Sequence, residues 1–241
     1  MVRIFDTPEE MQCAAAWMFV EQVLMGGPGF ISVATGGTTT PIHARIADVF
    51  AAAPFDTRQL HLCCVDDYFG IPAGHMAACA TRVRKQLIEP LKLHEEQVLL
   101  PGMFEGGAMQ AAIAYENAIA ERGGIRIQFL GLGEDAHLGF CRPGTPLDST
   151  AHAVKLPEDT RNMLRSKYSL PSADLPEFGI TLGLKSILRI PTIVVVANGQ
   201  SKARAVAGAL LGPVTGSVPA SALQLHPHVT WLLDKAAASL L

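Results

Sequence analysis

The chain has 241 residues, of which 49% are hydrophobic and 17% charged, so it can bury a sizeable core and is not expected to be disordered. The formal net charge of −3, with no run of basic residues, argues against a nucleic-acid-binding surface. Five cysteines without a C-x-x-C pair argue against a disulfide framework or a zinc site, and favour reduced thiols in a cytoplasmic protein.

The first predicted elements are a short edge strand, Val2–Phe5, and the helix that follows it. Thr7 is typical of a helix N-cap, Pro8 of the first helical position, and Glu10 of a residue that reaches back to the cap. Apolar residues recur at helical spacing to about Met25, where glycines end the helix. The glutamates in this helix, and an N-terminus unlike a signal peptide, predict no membrane-spanning segment here.

A Gly/Thr-rich turn follows the next predicted strand, residues 30–34, and leads into a predicted helix over residues 42–52. A strand, a glycine turn and a helix in this order suit a phosphate, because the turn exposes backbone N–H groups and the helix N-terminus adds partial positive charge. The candidate phosphate-binding residues are Gly36, Gly37, Thr38 and Thr39. The loop lacks the lysine of a Walker loop, and an ordinary capped turn is the alternative.

Two adjacent acids, Asp66 and Asp67, stand at the end of a third predicted strand, residues 60–65. Neighbouring strand residues face opposite ways, so one of the two carboxylates can point into a cleft. The alternative is that both are turn acids that face water.

Three further elements precede the centre of the chain. Residues 76–89 are predicted to be helical, and Arg82, Arg84 and Lys85 are expected on the solvated face of this helix. Residues 98–101 are expected to be briefly extended, and residues 108–122 to form a helix that glycines close.

The next predicted strand begins at Ile125 and breaks at Gly131 and Gly133, where the backbone can turn sharply and approach a ligand. Asp135 and His137 follow at once. A carboxylate beside an imidazole fixes its tautomer and raises its pKa, which suits acid–base chemistry near neutral pH. The alternative is that Asp135 caps a turn and His137 packs beside it.

After residue 143 the chain is predicted to be loop-like over residues 144–150, and residues 160–167 are predicted to form a short helix. Arg165 and Lys167 in this helix are either solvated charges or part of an arm that meets a substrate anion. Residues 179–188 fit either a strand and a turn or the start of a helix.

Residues 192–197 are predicted to form a buried strand, followed by a polar turn and a helix to about residue 211. Lys202 in the first turn of this helix opposes the helix dipole, which an anionic ligand would explain; a solvated lysine is the alternative. A short helical piece over residues 219–227, a last strand over 229–233 and a closing helix over 234–240 complete the chain.

Strands and helices alternate throughout, without a linker or a repeat. This pattern predicts an α/β fold with one doubly wound, mainly parallel sheet, in a single domain of residues 1–241. Four strands end in polar or glycine-rich turns, at Thr35, Asp66, Gly131 and Asn198. Because a parallel sheet brings such ends to one rim, we expect these turns to converge.

These motifs resemble those of the glucosamine-6-phosphate deaminase/isomerase and 6-phosphogluconolactonase superfamily, over nearly the whole chain. Thr35-Gly-Gly-Thr is similar to its phosphate loop, and Asp66-Asp-Tyr-Phe-Gly-Ile-Pro to the deaminase stretch Asp-Glu-Tyr-x-Gly-Leu-Pro. Gly131-Leu-Gly-Glu-Asp-Ala-His-Leu-Gly-Phe resembles the histidine-containing signature of the deaminases. Gly199-Gln-Ser-Lys and Ser221-Ala-Leu-Gln-Leu-His-Pro resemble later motifs of the same branch.

The resemblance implies a modified Rossmann-like fold and a sugar 6-phosphate as the small-molecule partner. No cofactor or metal is expected, because the chemistry requires none, and the charge and the helix composition predict no nucleic-acid or membrane partner. The resemblance implies that Asp66 moves a proton between C1 and C2 of the opened sugar. His137, assisted by Asp135, would open the pyranose ring.

The resemblance also assigns the phosphate to the loop of residues 36–39 and to Lys202. The family uses an arginine there as well, for which the nearest candidates in this chain are Arg165 and Lys167.

The chain departs from the family at Arg142, where the deaminases carry the Glu of an Asn-Glu-Pro run. A guanidinium stays charged and accepts no proton, and near His137 it would lower the imidazole pKa. Ala136 stands where the family usually has Gly. The loop before Lys155 lacks the basic residues of the family's allosteric site, so no amino-sugar allosteric site is expected.

The leading hypothesis is a deaminase/isomerase that converts an amino-hexose 6-phosphate to a ketohexose 6-phosphate and ammonia, as a monomer or small homo-oligomer. A 6-phosphogluconolactonase-type hydrolase is the alternative, since it needs only a base for water and a phosphate anchor. Against it, lactonases of the family have Asp-Glu-Arg where this chain has Asp66-Asp-Tyr. A sugar-phosphate sensor without catalysis is a third hypothesis, which Arg142 favours.

Overall fold

Two sheets organise the computed structural model, which describes residues 1–241. The strands are β1 (Val2–Phe5), β2 (Phe30–Val33), β3 (Leu62–Cys64), β4 (Asp66–Tyr68), β5 (Val98–Leu99), β6 (Ile125–Gly131), β7 (His152–Lys155), β8 (Phe178–Thr181), β9 (Thr192–Ala197) and β10 (Val229–Asp234). The α-helices are α1 (Pro8–Met25), α2 (Thr39–Ala52), α3 (Cys79–Val83), α4 (Ala108–Glu121), α5 (Glu158–Tyr168), α6 (Leu184–Leu188) and α7 (Ala203–Leu211). None of them has the length and apolar character needed to cross a membrane.

The larger sheet has seven strands in the order β1-β10-β9-β6-β2-β3-β5, all paired in parallel. Helices cover both faces, because successive strand residues point to opposite sides. In β9, Ile193 and Val195 pack with α4 and α7, whereas Val194 and Val196 pack with α1 and α2. The predicted α/β class with a mainly parallel, doubly wound sheet is therefore confirmed.

The second sheet has three antiparallel strands in the order β4-β8-β7 and was not predicted. The chain leaves β3 and enters β4 after a single residue, Val65, so Asp66 and Asp67 lie in a strand rather than in a turn. β7 lies between the predicted loop over residues 144–150 and the predicted helix over residues 160–167, in a segment that carries no prediction. These strands are short and pair with residues far away in sequence, so local periodicity gave no signal.

Three local predictions need correction. The helix predicted over residues 76–89 is α3 followed by a π-helical turn, Arg84–Ile88, and α2 begins at Thr39 rather than at residue 42. Residues 179–188, which from the sequence fit either a strand and a turn or the start of a helix, contain the end of β8 and all of α6, so both alternatives are present. In place of the closing helix predicted over residues 234–240, Asp234 ends β10 and residues 235–240 form turns.

The N-terminus of α1 is capped by Thr7 as predicted, but the Glu10 side chain hydrogen-bonds one residue earlier than predicted. Thr7 Oγ1 accepts a hydrogen bond from Glu10 N over 3.2 Å, as an N-cap does. The Glu10 carboxylate reaches back to the backbone N of Asp6 over 3.0 Å, one residue before the cap.

Candidate active site

A cleft of about 490 Å³ opens where β2 and β6 end and β4 begins. Of its lining residues only Ala34 and Leu132 are apolar, so it suits a polar ligand. All of the predicted site residues line this cleft except Arg165 and Lys167. Those that line it are Gly36, Gly37, Thr38, Thr39, Asp66, Asp135, His137, Arg142 and Lys202. Of the four strand ends expected to converge, Asn198 does not line the cleft.

The Gly/Thr loop forms one wall of the cleft, directly before α2. Thr40 N donates to Gly36 O over 3.0 Å, which closes the first turn of the loop into the helix. A Cβ added at Gly36 or Gly37 would meet no atom within 4 Å, and neither residue has a positive φ. Neither backbone strain nor crowding within the protein explains these two glycines, so the space beside them is available to a ligand.

The two adjacent acids have opposite surroundings. Asp66 lines the cleft, whereas Asp67 accepts hydrogen bonds from Cys79 N over 2.7 Å and Ala80 N over 2.8 Å and so caps α3. Burial, together with the charge of Asp67, raises the pKa of Asp66 to about 7, although Arg82 acts in the opposite direction. A carboxyl with this pKa is suited to take up and return a proton near neutral pH.

The predicted carboxylate–imidazole pair is formed. His137 Nδ1 lies 2.5 Å from Asp135 Oδ1, which also accepts from His137 N over 3.2 Å. Burial acts to raise the pKa of Asp135, but the neighbouring His137 and Arg142 outweigh it and hold that pKa below its ordinary value. Asp135 is therefore an ionised partner that orients the imidazole, and Nε2 is left for a ligand.

The backbone around this pair leaves little freedom. A Cβ at Gly133 would overlap the His137 imidazole, so only glycine fits there. Ala136 has a φ of +62°, in the left-handed region that favours glycine. The strain at Ala136 gives a physical reason for the glycine that the family usually has at this position.

Arg142 does not take the place of a second carboxylate beside His137. Its Nε lies 3.6 Å from Asp135 Oδ2, the oxygen that His137 does not use, and its Nη2 lies 3.7 Å from Asp159 Oδ2 on α5. The guanidinium and the imidazole thus share one carboxylate, and Arg142 connects that carboxylate to α5.

The predicted cations divide into two groups. Lys202 lines the cleft, at the end of a short 3-10 turn before α7, and partial burial lowers its pKa. Arg165 and Lys167 do not line it: Arg165 donates to Asn162 Oδ1 over 2.8 Å, and Lys167 lies over the Tyr168 ring. The prediction that Arg165 or Lys167 binds the phosphate therefore needs correction. Helix α5 buries Leu164, and this orientation directs both cations to solvent.

One residue near the cleft was assigned to the wrong environment. Arg82, predicted on a solvated face, is only 8% exposed and donates to Thr35 Oγ1 over 2.8 Å. The sequence carried only a weak signal for this burial: Arg82 lies three residues after the buried Cys79, but not on the helical face of Val83 and Leu87.

Comparisons with known proteins agree over most of the chain. A family model described as glucosamine-6-phosphate isomerases/6-phosphogluconolactonase matches residues 18–231. A glucosamine-6-phosphate deaminase of Streptomyces coelicolor is 36% identical over 209 residues, which are 87% of this chain and 80% of the relative. One of Alkaliphilus oremlandii is 31% identical over 241 residues, 100% of both chains.

Solved structures agree with the sequence comparison. A monomeric glucosamine-6-phosphate deaminase superposes with a TM-score of 0.91 at 28% identity, covering 100% of this chain and 99% of the other. A 6-phosphogluconolactonase from Trypanosoma brucei superposes with a TM-score of 0.80 at 21% identity, covering 100% and 98%, which is a likeness of fold alone.

Proposed function

The chain belongs to the glucosamine-6-phosphate isomerase/6-phosphogluconolactonase family, and from this premise we propose that it is an amino-sugar phosphate deaminase/isomerase. It converts an amino-hexose 6-phosphate, with glucosamine 6-phosphate as the first candidate, to a ketohexose 6-phosphate and ammonia. The observation that carries the proposal is one cleft that combines a carboxyl of near-neutral pKa, a carboxylate–imidazole pair and a glycine-rich anion loop.

Ring opening is assigned to His137. This step takes a proton from the anomeric hydroxyl and delivers one to the ring oxygen. The Nδ1 atom is held by Asp135, so the Nε2 atom carries the proton between the two oxygens. Asp135, kept ionised by its cationic neighbours, stabilises the imidazolium that forms in between.

Isomerisation and loss of ammonia are assigned to Asp66. Its carboxylate takes the proton from C2 of the open-chain amino aldehyde and returns it at C1. In the same step the oxygen on C1 gains a proton and the amino nitrogen loses one, which leaves a hydroxyl at C1 and an imine at C2. Water adds to this imine and ammonia departs, so that the sum is amino-hexose phosphate plus water to ketohexose phosphate plus ammonia. A pKa near 7 makes both proton transfers accessible.

The phosphate is assigned to the loop of residues 36–39 and to Lys202. The loop supplies backbone N–H groups, hydroxyls and the start of α2. No carboxylate lies within 4.0 Å of the Lys202 ammonium, so its charge is available to an anion.

A lactonase is less well supported. Lactone hydrolysis needs only a base for water and a phosphate anchor, which His137 and the loop would provide. It gives no task to Asp66, whose burial and raised pKa suit proton transfer at carbon.

A coupled assay for ammonia and fructose 6-phosphate, with glucosamine 6-phosphate as substrate, tests the proposal on the wild type and on Arg142→Glu. We expect wild-type turnover, because Asp135 already holds His137 in place. Asp66→Asn is the inactive control.

Inactivity of the wild type on a panel of amino-sugar phosphates would contradict the proposal. Activity of Arg142→Glu alone would assign position 142 to another substrate or to sensing. Hydrolysis of 6-phosphogluconolactone by the wild type would identify a lactonase instead.

We further propose that residues 1–241 form one domain that acts as a cytoplasmic monomer. The monomeric deaminase that superposes on this chain supports the monomer, and five free cysteines support a reducing compartment. Sedimentation analysis and limited proteolysis test the oligomeric state and the domain boundary.

A further inference from the structure

Arg82 on α3 lies between the candidate base and the phosphate loop. Its Nη2 donates to Thr35 Oγ1 over 2.8 Å and to Cys79 Sγ over 3.0 Å, and the Cys79 thiol hydrogen-bonds Asp66. A chain of hydrogen bonds therefore runs from Asp66 through Cys79 and Arg82 to the first residue of the loop.

The Arg82 guanidinium is a buried cation without an ion pair. Its Nη1 donates to Tyr168 Oη over 2.7 Å and to Ala77 O over 3.2 Å, so all its hydrogen-bond acceptors are neutral. No carboxylate oxygen lies within 4.0 Å of it, and its buried Nε–H has no partner. Because an arginine stays charged and a buried unpaired charge is costly, this placement calls for an anion nearby.

We propose that Arg82 is a positioning residue that allows a phosphate dianion on the loop and an ionised Asp66 to occupy the cleft together. The inference rests on the proposed function, which requires both anions at once. By donating to Thr35 Oγ1, Arg82 leaves the hydroxyl proton of Thr35 free to donate to the phosphate. Its positive charge offsets the repulsion between the two anions.

Among the titratable groups that interact with Asp66, Arg82 is the one that carries a positive charge. The titratable side chains that interact with Asp66 are those of Cys64, Asp67, Tyr68, Cys79, Arg82 and Cys141. Burial raises the pKa of the three thiols and of the phenol, so these four groups are neutral at pH 7. A phosphate adds negative charge to that of Asp67, and without Arg82 both would favour a protonated Asp66.

The first test is a titration with inorganic phosphate, followed by thermal shift, on the wild type and on Arg82→Met. We expect the variant to bind phosphate at least about tenfold more weakly, since a charge-assisted network is lost. Arg82→Lys, which keeps the charge, should recover part of the affinity. Arg84→Met is the matched control: it also replaces an arginine by methionine, but Arg84 lies at the surface and pairs with Glu95. This variant should bind phosphate as tightly as the wild type does.

Thr35→Val tests whether Arg82 acts through the loop. We expect this variant to bind phosphate more weakly than the wild type. The double variant Thr35→Val/Arg82→Met should bind no more weakly than the weaker of the two single variants, because both substitutions remove the same contact between Arg82 and Thr35.

The second test is the pH dependence of turnover. In Arg82→Met the acidic limb should move to higher pH, and further for kcat than for kcat/KM, because the phosphate is present in the substrate complex. A residue with only a structural role would not produce this difference.

The inference would be overturned if Arg82→Met had the phosphate affinity and the acidic limbs of the wild type, whatever its melting temperature. It would also be overturned if the wild type did not bind phosphate. If Arg82→Met does not fold, wild-type affinity in Thr35→Val overturns it. A wild type that binds phosphate but turns over no sugar phosphate would refute the proposed function, and the titration would still decide the role of Arg82.

Discussion

At the residue scale, one step along β4 gives two adjacent carboxyls different roles. Asp67 turns towards α3 and is occupied by backbone N–H groups, whereas Asp66 turns into the cleft, where few groups solvate its charge. The alternation of a strand is sufficient for this separation. The acidity of Asp66 then has two measurable consequences.

The first consequence concerns activity. With an Asp66 pKa of about 7, kcat/KM should fall below neutral pH and be about tenfold below its plateau at pH 6, because the base is then mostly protonated. Asp66→Asn should reduce kcat by about 1,000-fold or more and abolish this limb. A pH–rate profile from pH 5 to 9 measures both, and a flat profile down to pH 5 would rule out Asp66 as the base.

The second consequence concerns stability. The pKa of Asp66 is raised from 3.8 to about 7 on folding, so the folded state holds the proton more tightly and its stability falls as pH rises between these values. Asp66→Asn avoids the buried charge and should be more stable than the wild type above pH 7, by at most about 4 kcal/mol. Near pH 4 the two should be alike. Urea unfolding at pH 4 and pH 8 measures the difference, and an equal difference at both pH values would contradict the assignment.

At the element scale, the turn after β6 is shaped around the imidazole. Gly133 N donates to His137 O over 3.0 Å, which folds the turn back on itself, and Ala136 holds a left-handed φ inside the core. The turn after β2 differs, because its glycines face open space. The two glycine turns of the cleft should therefore respond differently to a methyl group.

Gly133→Ala should displace the His137 imidazole and lower kcat about 100-fold, as a misplacement of about 1 Å does. Gly36→Ala adds the same methyl group without a clash in the protein, so it should leave the melting temperature unchanged and raise KM by occupying the space of the phosphate. Steady-state kinetics with both variants separate the two effects. A change in kcat alone for Gly36→Ala would show that the loop does not bind the phosphate.

At the scale of the whole molecule, groups far from the cleft also set the stability. His43 on α2 is buried and lies 2.8 Å from Gln86 Oε1, and burial lowers its pKa to about 4. Its contribution to stability is complete above pH 6.5 and is lost as pH falls through about 4. Asp66 acts in the opposite direction over the same range, so the two groups offset each other.

His43→Gln should therefore lose less stability than the wild type between pH 7 and pH 4.5, by up to about 3 kcal/mol. Asp66→Asn should lose more than the wild type, since the opposing contribution is gone. Melting temperatures of the three proteins across this range make the comparison. Identical pH dependence in His43→Gln and the wild type would show that His43 is not buried in its neutral form.

The sequence by itself determined the parallel sheet, its long helices and the candidates around residues 36–39, 66, 135, 137 and 202. These depend on periodicity and on turn chemistry, which act over a few neighbouring residues. Only the tertiary structure decided the antiparallel sheet, where Asp66 pairs with Thr181, and the environments of Arg82, Arg142 and Arg165. The local sequence around an arginine is compatible with exposure to solvent, with an ion pair or with a buried hydrogen-bond network. Which of these environments the side chain has depends on the groups that the fold brings beside it.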